Sequence, residues 1–348
     1  MGHRLRLGVY AAATAGLGMM IGLILYSGFG GILRALELAG WGLLLLVPLH
    51  LAVLALDARG WWLLLRPRDP QDRAGMGFLL WAASVRDGVS NLLPVARVGG
   101  DLVGIRLLML RGIRGAAAAA SVLVEISTTA VNQVLFALLG LVLLCYRVDV
   151  SPLLLRLIIG ATLALPAGLG LIALLHYGSL FGRLQRLLER LLGARSGMAA
   201  MLGDARGLDA EIRALYRQAW RVLRCGLWQL AGMVAGSAEI WLALKLLGHP
   251  AGWVEPVIFE SLAQALRHAA FLIPAGLGVQ EAGFVVVGGM LGLGSDVSLA
   301  LSLARRLREL AFGVPMILWW RWVEGRRLRS LITSPAGSGN ASEYGPGR

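Results

Sequence analysis

Residues Phe271 to Glu309 read FLIPAGLGVQEAGFVVVGGMLGLGSDVSLALSLARRLRE. An apolar run stops at Pro274, passes Gly276 and Gly278 to reach Gln280 and Glu281, then resumes as apolar chain that carries Arg305, Arg306, Arg308 and Glu309. A run of this kind is long enough for lipid, yet each ionised residue at the centre of a lipid-facing helix costs about 2.5 to 3.5 kcal/mol. Three arginines and a glutamate must therefore face protein, water or a substrate.

A second stretch has the same design. Asn91 to Leu107 reads NLLPVARVGGDLVGIRL, and Pro94 precedes Asp101 by the interval that separates Pro274 from Glu281. A shift of about 180 residues also lays Trp41–Leu65 near Arg221–Lys245 and Glu125 on Arg305. The chain reads as two copies of one unit, about residues 41–146 and 221–323. Apolar segments broken by proline and glycine at matching places in two halves are the sequence sign of a transporter's binding site.

Composition sets the medium. Hydrophobic residues make up 57% of the 348 and charged residues 15%, which predicts an all-α polytopic membrane protein. The net charge of +13 is read as basic cytoplasmic loops. No zinc-finger, RNP or helix-turn-helix pattern accompanies it, so no nucleic-acid partner is expected. The five histidines lack metal-ligand spacing, and HExxH, CxxC and Gly-x-Ser-x-Gly are absent. No cofactor, metal or catalytic residue is expected, and the chain is read as a non-enzyme.

Charge and length predict the topology. The basic start MGHRLR places the N terminus in the cytoplasm, and Leu7–Tyr26 is the first crossing rather than a cleaved signal. Trp41–Leu56 is the second, ended near the inner face by Asp57 and Arg59. Gly75–Leu110 bears Arg86, Asp87, Asn91, Arg97, Asp101 and Arg106 and is read as a re-entrant helical hairpin with its tip at Pro94–Gly100. Ala116–Tyr146 and Leu153–Leu175 cross next. The arginine-rich residues 177–224 form a cytoplasmic linker, within which Leu180–Leu192 lies on the leaflet surface. Cys225–Leu247 crosses outward with Glu239 inside it, which puts Cys145 and Cys225 at opposite faces, beyond disulfide reach. Pro256–Leu293 is the second hairpin, with Glu260, Gln264, Arg267 and His268 before its bend, and Leu299–Val323 crosses last. The expectation is a single membrane domain over residues 1–332, with about six transmembrane helices and two re-entrant hairpins in an inverted repeat. Both termini are cytoplasmic, and residues 333–348 form a disordered tail.

Candidate site residues are the ionisable and helix-breaking groups of both hairpins and the helices that follow them: Arg86, Asp87, Asn91, Pro94, Asp101, Arg106, Glu125, Arg267, Pro274, Gln280, Glu281, Arg305, Arg306, Arg308 and Glu309. Glu309 stands four residues from Arg305 and three from Arg306, so it reaches both. At least one positive charge remains beyond it. Either Glu125, Asp101 or Glu281 neutralises that charge in a closed salt-bridge network, or an anionic ligand does, taken up by the paired donors of guanidinium. Glu125 itself reads equally as a counter-charge or as a proton site.

VSNLLPVARVGGDLVGIRLL, LIPAGLGVQEAGFVVVG and ALSLARRLREL together resemble the flippase-like family of the lysylphosphatidylglycerol synthase transmembrane region, with the nearest likeness to its hopanoid-associated HpnL branch. The resemblance spans roughly Arg4 to Arg329. It carries over onto Asn91, Pro94, Gly99, Gly100 and Asp101, onto Pro274, Gly276, Gly278, Gln280 and Glu281, and onto the arginine cluster. Ala275 stands where relatives often have glycine. The resemblance implies a lipid translocase of the bacterial inner membrane, linked to hopanoid or anionic phospholipid transport, with membrane lipids and lipid-biosynthesis proteins as partners. Full synthases of this kind carry a C-terminal aminoacyl transferase. Only a tail follows Arg329 here, so synthase activity is not expected. The rival readings are a small-solute secondary transporter coupled to protons through Glu125 or Glu281, and a non-catalytic membrane partner of a lipid-synthesis complex.

Overall fold

The computed structural model describes residues 37, 39–92, 98–148, 152–177, 205–269 and 278–333. The expected first crossing Leu7–Tyr26, both proline bends at Pro94 and Pro274, the basic stretch with the expected surface helix Leu180–Leu192, and the tail lie outside the described residues.

Ten α-helices occur among the described residues, with no strand: α1 (Leu46–Leu65), α2 (Met76–Leu92), α3 (Val98–Leu110), α4 (Gly115–Cys145), α5 (Pro152–Tyr177), α6 (Ala205–Tyr216), α7 (Ala219–Leu246), α8 (Val254–Ala269), α9 (Val279–Met290) and α10 (Ser295–Thr333). Three are long and apolar enough to cross a membrane: α1 with its flanks (Gly40–Arg68), α4 and α7. Their outward faces expose Leu135, Leu139, Val142, Leu227 and Val234, as a lipid-facing surface requires. The chain is a helical membrane protein.

The order long helix, two short helices, long helix occurs twice, as α1 to α4 and as α7 to α10. The endings match as well. Gly112 after α3 and Gly292 after α9 both take φ near +78°, at φ 79 and 77, where a side chain would be strained. In both places the next amide returns to the carbonyl at the start of the last turn, Ile113 N–H to Leu108 C=O and Leu293 N–H to Gly288 C=O, which closes the helix in a Schellman turn.

Packing is reciprocal between the halves. The two opening helices, α1 and α7, lie against each other and run antiparallel: a Cβ on Gly42 would meet Leu246, one on Gly232 would meet Asp57, and one on Gly60 would stand 3.2 Å from the Cys225 carbonyl oxygen. The first short helix of each half packs on the closing helix of the other, α2 on α10 and α8 on α4. Both contacts are backbone-close because glycine permits it. A Cβ on Gly88 would stand 3.1 Å from the Gly313 oxygen, and one on Gly140 only 1.8 Å from Ser261 Oγ.

Three apolar cores result; the smallest joins Leu64, Val124, Ile212, Leu215 and Cys225, and the other two lie at opposite ends of the α1–α7 pair. One joins Leu43 and Leu46 to Ile240, Leu244, Phe259, Phe284 and Leu301; the other joins Trp61 and Leu65 to Leu79, Val85, Leu108 and Val122. On α1, His50 and Asp57 stand between the residues of these two cores.

Two expectations about the helices need correction. Asp57 and Arg59 do not end the second crossing, for α1 continues to Leu65 and leaves Asp57 in mid-helix. The apolar residues Trp61, Leu64 and Leu65 are buried there, so packing carries the helix past its charges. The crossing expected to begin at Cys225 begins at Ala219 as α7, and α6 occupies Ala205–Tyr216 within the expected linker. In α6, Ile212 and Leu215 are buried, and Glu211 accepts from Arg68 Nε at 2.7 Å and pairs with Arg114 Nη2 at 2.8 Å. That amphipathic helix is docked to the bundle.

Candidate functional site

Between the two cores lies a partly open cavity of about 410 Å³. Helices α1, α2, α4, α7, α8 and α10 all contribute to its wall, with Asp101 reaching in from α3. Six carboxylates and four arginines line it. Its volume is that of a small-molecule pocket, and its lining is unusually rich in charge.

The arginine cluster of α10 is answered by carboxylates from four helices. Arg305 donates through both terminal nitrogens to the two oxygens of Glu260 on α8, the longer contact being 3.1 Å, and reaches Glu309 at 3.8 Å. Arg306 donates from Nε to Glu281 at 3.1 Å and from Nη1 to Glu309 at 3.2 Å. Arg308 Nε lies 3.1 Å from Glu239 of α7, and Arg267 Nη1 lies 3.5 Å from Glu309. Glu281 also starts α9, for its Oε2 accepts the Gly278 N–H at 2.7 Å. The surplus positive charge suggested by the sequence thus has internal partners in Glu239, Glu260 and Glu281. Glu125 and Asp101 do not serve this cluster.

They serve Arg86 instead. Arg86 Nη1 donates to Glu125 at 2.8 Å and Nη2 to Asp101 at 2.7 Å, with the guanidinium 4.6 Å from the centre of the Trp61 ring. Its fork ties α2 to α3 and α4 at once. The hairpin contact is tight at the same point, since a Cβ on Gly100 would stand 2.4 Å from the Arg86 carbonyl oxygen.

His50 of α1 joins the two charge groups. Its Nδ1 lies 2.9 Å from Glu239 and its Nε2 3.1 Å from Asp87, while its ring meets Phe312 edge-on at 5.0 Å. Asn91 donates to the other oxygen of Asp87 at 2.8 Å.

Of the sequence candidates, Arg86, Asp87, Asn91, Asp101, Glu125, Arg267, Arg305 and Arg308 line the cavity. Glu281, Arg306 and Glu309 stand behind it as partners. Gln280 is 2% exposed with neither side-chain polar atom hydrogen-bonded among the described residues. Arg106 does not line the cavity: it points away to Glu324 with most of its side chain exposed. On α3 it falls on the face opposite the cavity, beside outward-facing Leu102 and Met109. Pro94 and Pro274 lie outside the described residues. The candidates missed were His50, Asp57, Glu239 and Glu260, all of which line the cavity. Their signal was an ionisable residue in the interior of a largely apolar helix.

Comparison with known proteins places the chain in a family. The family described as lysylphosphatidylglycerol synthase TM region matches over residues 9–316. No curated protein and no solved structure matches the chain.

Proposed function

The chain belongs to the family of the lysylphosphatidylglycerol synthase transmembrane region, and from that premise we propose that it is a lipid translocase of the bacterial inner membrane. The observation that carries the reading is a charged cavity of headgroup size enclosed by helices whose outer faces are apolar. A headgroup would cross through the cavity while its hydrophobic part stays in lipid.

The lining bears on the cargo. Arg86, Arg305 and Arg308 already hold carboxylates, so a bare anion would have to displace them. A hydroxylated or zwitterionic headgroup needs no such exchange, because it bonds donors and acceptors alike. The hydroxylated headgroup of a hopanoid fits this lining better than an anionic phospholipid does. Lipid-biosynthesis proteins would act as suppliers of that cargo.

The full topology belongs to the same proposal. Six crossings and two re-entrant hairpins in an inverted repeat, with both termini in the cytoplasm, are supported by the repeated element order, the antiparallel α1–α7 pair and the reciprocal hairpin packing. Site-directed thiol labelling in oriented membrane vesicles tests it. Residues 93–97 and 270–277 should react from opposite compartments; reaction of both from one side overturns the inversion.

Function is tested by reconstituting the full chain into vesicles that carry headgroup-labelled lipid and quenching the label from outside. Polyol and zwitterionic lipids should exchange leaflets faster than in empty vesicles. No exchange of any lipid above the empty control sinks the reading.

A further inference from the structure

A neutral imidazole has one N–H and one lone pair. Whichever nitrogen carries the hydrogen, the other offers a lone pair to whatever it faces. In His50 both nitrogens face carboxylate oxygens at hydrogen-bond distance, Nδ1 to Glu239 at 2.9 Å and Nε2 to Asp87 at 3.1 Å. Two ionised carboxylates around a neutral ring would leave one of these contacts repulsive. One extra proton makes both attractive. We propose that His50, clasped between Asp87 and Glu239, is a proton-binding site that links the two halves of the chain across the cavity.

The surroundings agree. His50 is 8% exposed, yet His50, Asp87 and Glu239 all line the partly open cavity, so the proton has a route in and out. Charged groups face the site from each neighbouring element that carries one: Arg86 and Asp87 from α2, Glu125 from α4, Glu239 from α7, Arg308 from α10 and Asp57 from α1 itself, with Arg267 of α8 near Asp87. Across the whole lining carboxylates outnumber arginines six to four, and an imidazolium reduces the imbalance. His50 makes no hydrogen bond to Asp57 among the described residues.

Release of the proton is a simple exchange. The imidazolium gives its proton to cavity water and becomes neutral imidazole; no other bond changes. One of the two clasping contacts then turns repulsive, and Asp87 or Glu239 lets go. His50 and Asp87 belong to the first half and Glu239 to the second, so when Glu239 is the one that lets go the contact between halves loosens. Arg308, ion-paired with Glu239, and Asn91, hydrogen-bonded to Asp87, keep the two carboxylates partnered meanwhile.

Protonation of His50 is independent of what is transported, and it can be read directly. The full chain, labelled with ¹⁵N-histidine and placed in lipid nanodiscs, is examined by NMR at pH 7, with His50 assigned by loss of its signals in His50→Gln. Should that variant not fold, Phe312→Leu identifies the same signals, because removing the ring 5.0 Å away shifts them. Two closely spaced N–H signals, those of imidazolium, are expected for His50. In Asp87→Asn and in Glu239→Gln the widely split pair of a neutral ring should replace them. A neutral His50 in the unsubstituted protein at pH 7, or an imidazolium that persists in both variants, overturns the proposal. Lipid exchange plays no part in either result, so failure of the translocase reading leaves this one standing or falling by itself.

Discussion

Removing Arg305 should destabilise the protein more than removing it together with Glu260. The pair is nearly sealed, with side-chain exposures of 9% and 4%. Arg305→Met leaves a carboxylate in a low-dielectric interior with one remaining donor, Gln264 Nε2 at 2.7 Å. Loss of one partner of a buried pair costs about 3 to 5 kcal/mol, and the surviving amide places this case near about 3 kcal/mol. Glu260→Met leaves Arg305 with Glu309 at 3.8 Å, so the loss should be smaller, about 2 kcal/mol. The double variant has no orphaned charge between α8 and α10 and should also lose only about 2 kcal/mol, which amounts to a coupling of about 3 kcal/mol. Reversible unfolding in mixed detergent micelles measures the free energies. Thermal unfolding should show a drop of roughly 4 °C for Arg305→Met. Additive losses, with the double variant as unstable as the two singles combined, would refute the claim that these groups compensate each other.

Gly140→Ala should lower stability by about 1 to 3 kcal/mol, because its Cβ would stand 1.8 Å from Ser261 Oγ and the α4–α8 contact cannot widen freely; adding Ser261→Gly should restore most of the loss in the same unfolding assay. Arg86→Lys should not rescue Arg86→Gln, since one ammonium cannot reproduce the forked contacts to Glu125 at 2.8 Å and Asp101 at 2.7 Å; lipid exchange that recovers fully with lysine would contradict this. Maleimide should modify Cys145 in the folded protein and Cys225, which is 0% exposed, only after denaturation; equal labelling rates would show that α7 does not pack on α1 as described.

The fold was legible where local chemistry repeats. Asp101 and Glu281 mark the starts of the second short helices of the two halves, and the glycines that end α3 and α9 stand at the same spacing. The α10 cluster was legible too, because arginine in apolar chain has nowhere else to go. What the cluster touches was not. Glu239 and Glu260 meet Arg308 and Arg305 across 69 and 45 positions of sequence, and nothing in either carboxylate's neighbourhood names its partner. His50 was set aside because it lacks a second histidine at metal spacing, yet its chemistry needs only two carboxylates brought in by other helices.

The internal repeat misleads on sign for a related reason. The shift that aligns the halves puts Glu125 on Arg305, and each of these residues does tie its closing helix to the first short helix of its own half, through Arg86 and Glu260 respectively. The two ties have opposite polarity. A repeat preserves the place where a buried charge is tolerated, since that depends on backbone and packing. The charge at that place has to match only its partner, so a pair reversed in both members costs nothing and the halves are free to differ. Position was therefore readable from one half to the other, whereas pairing required the folded chain.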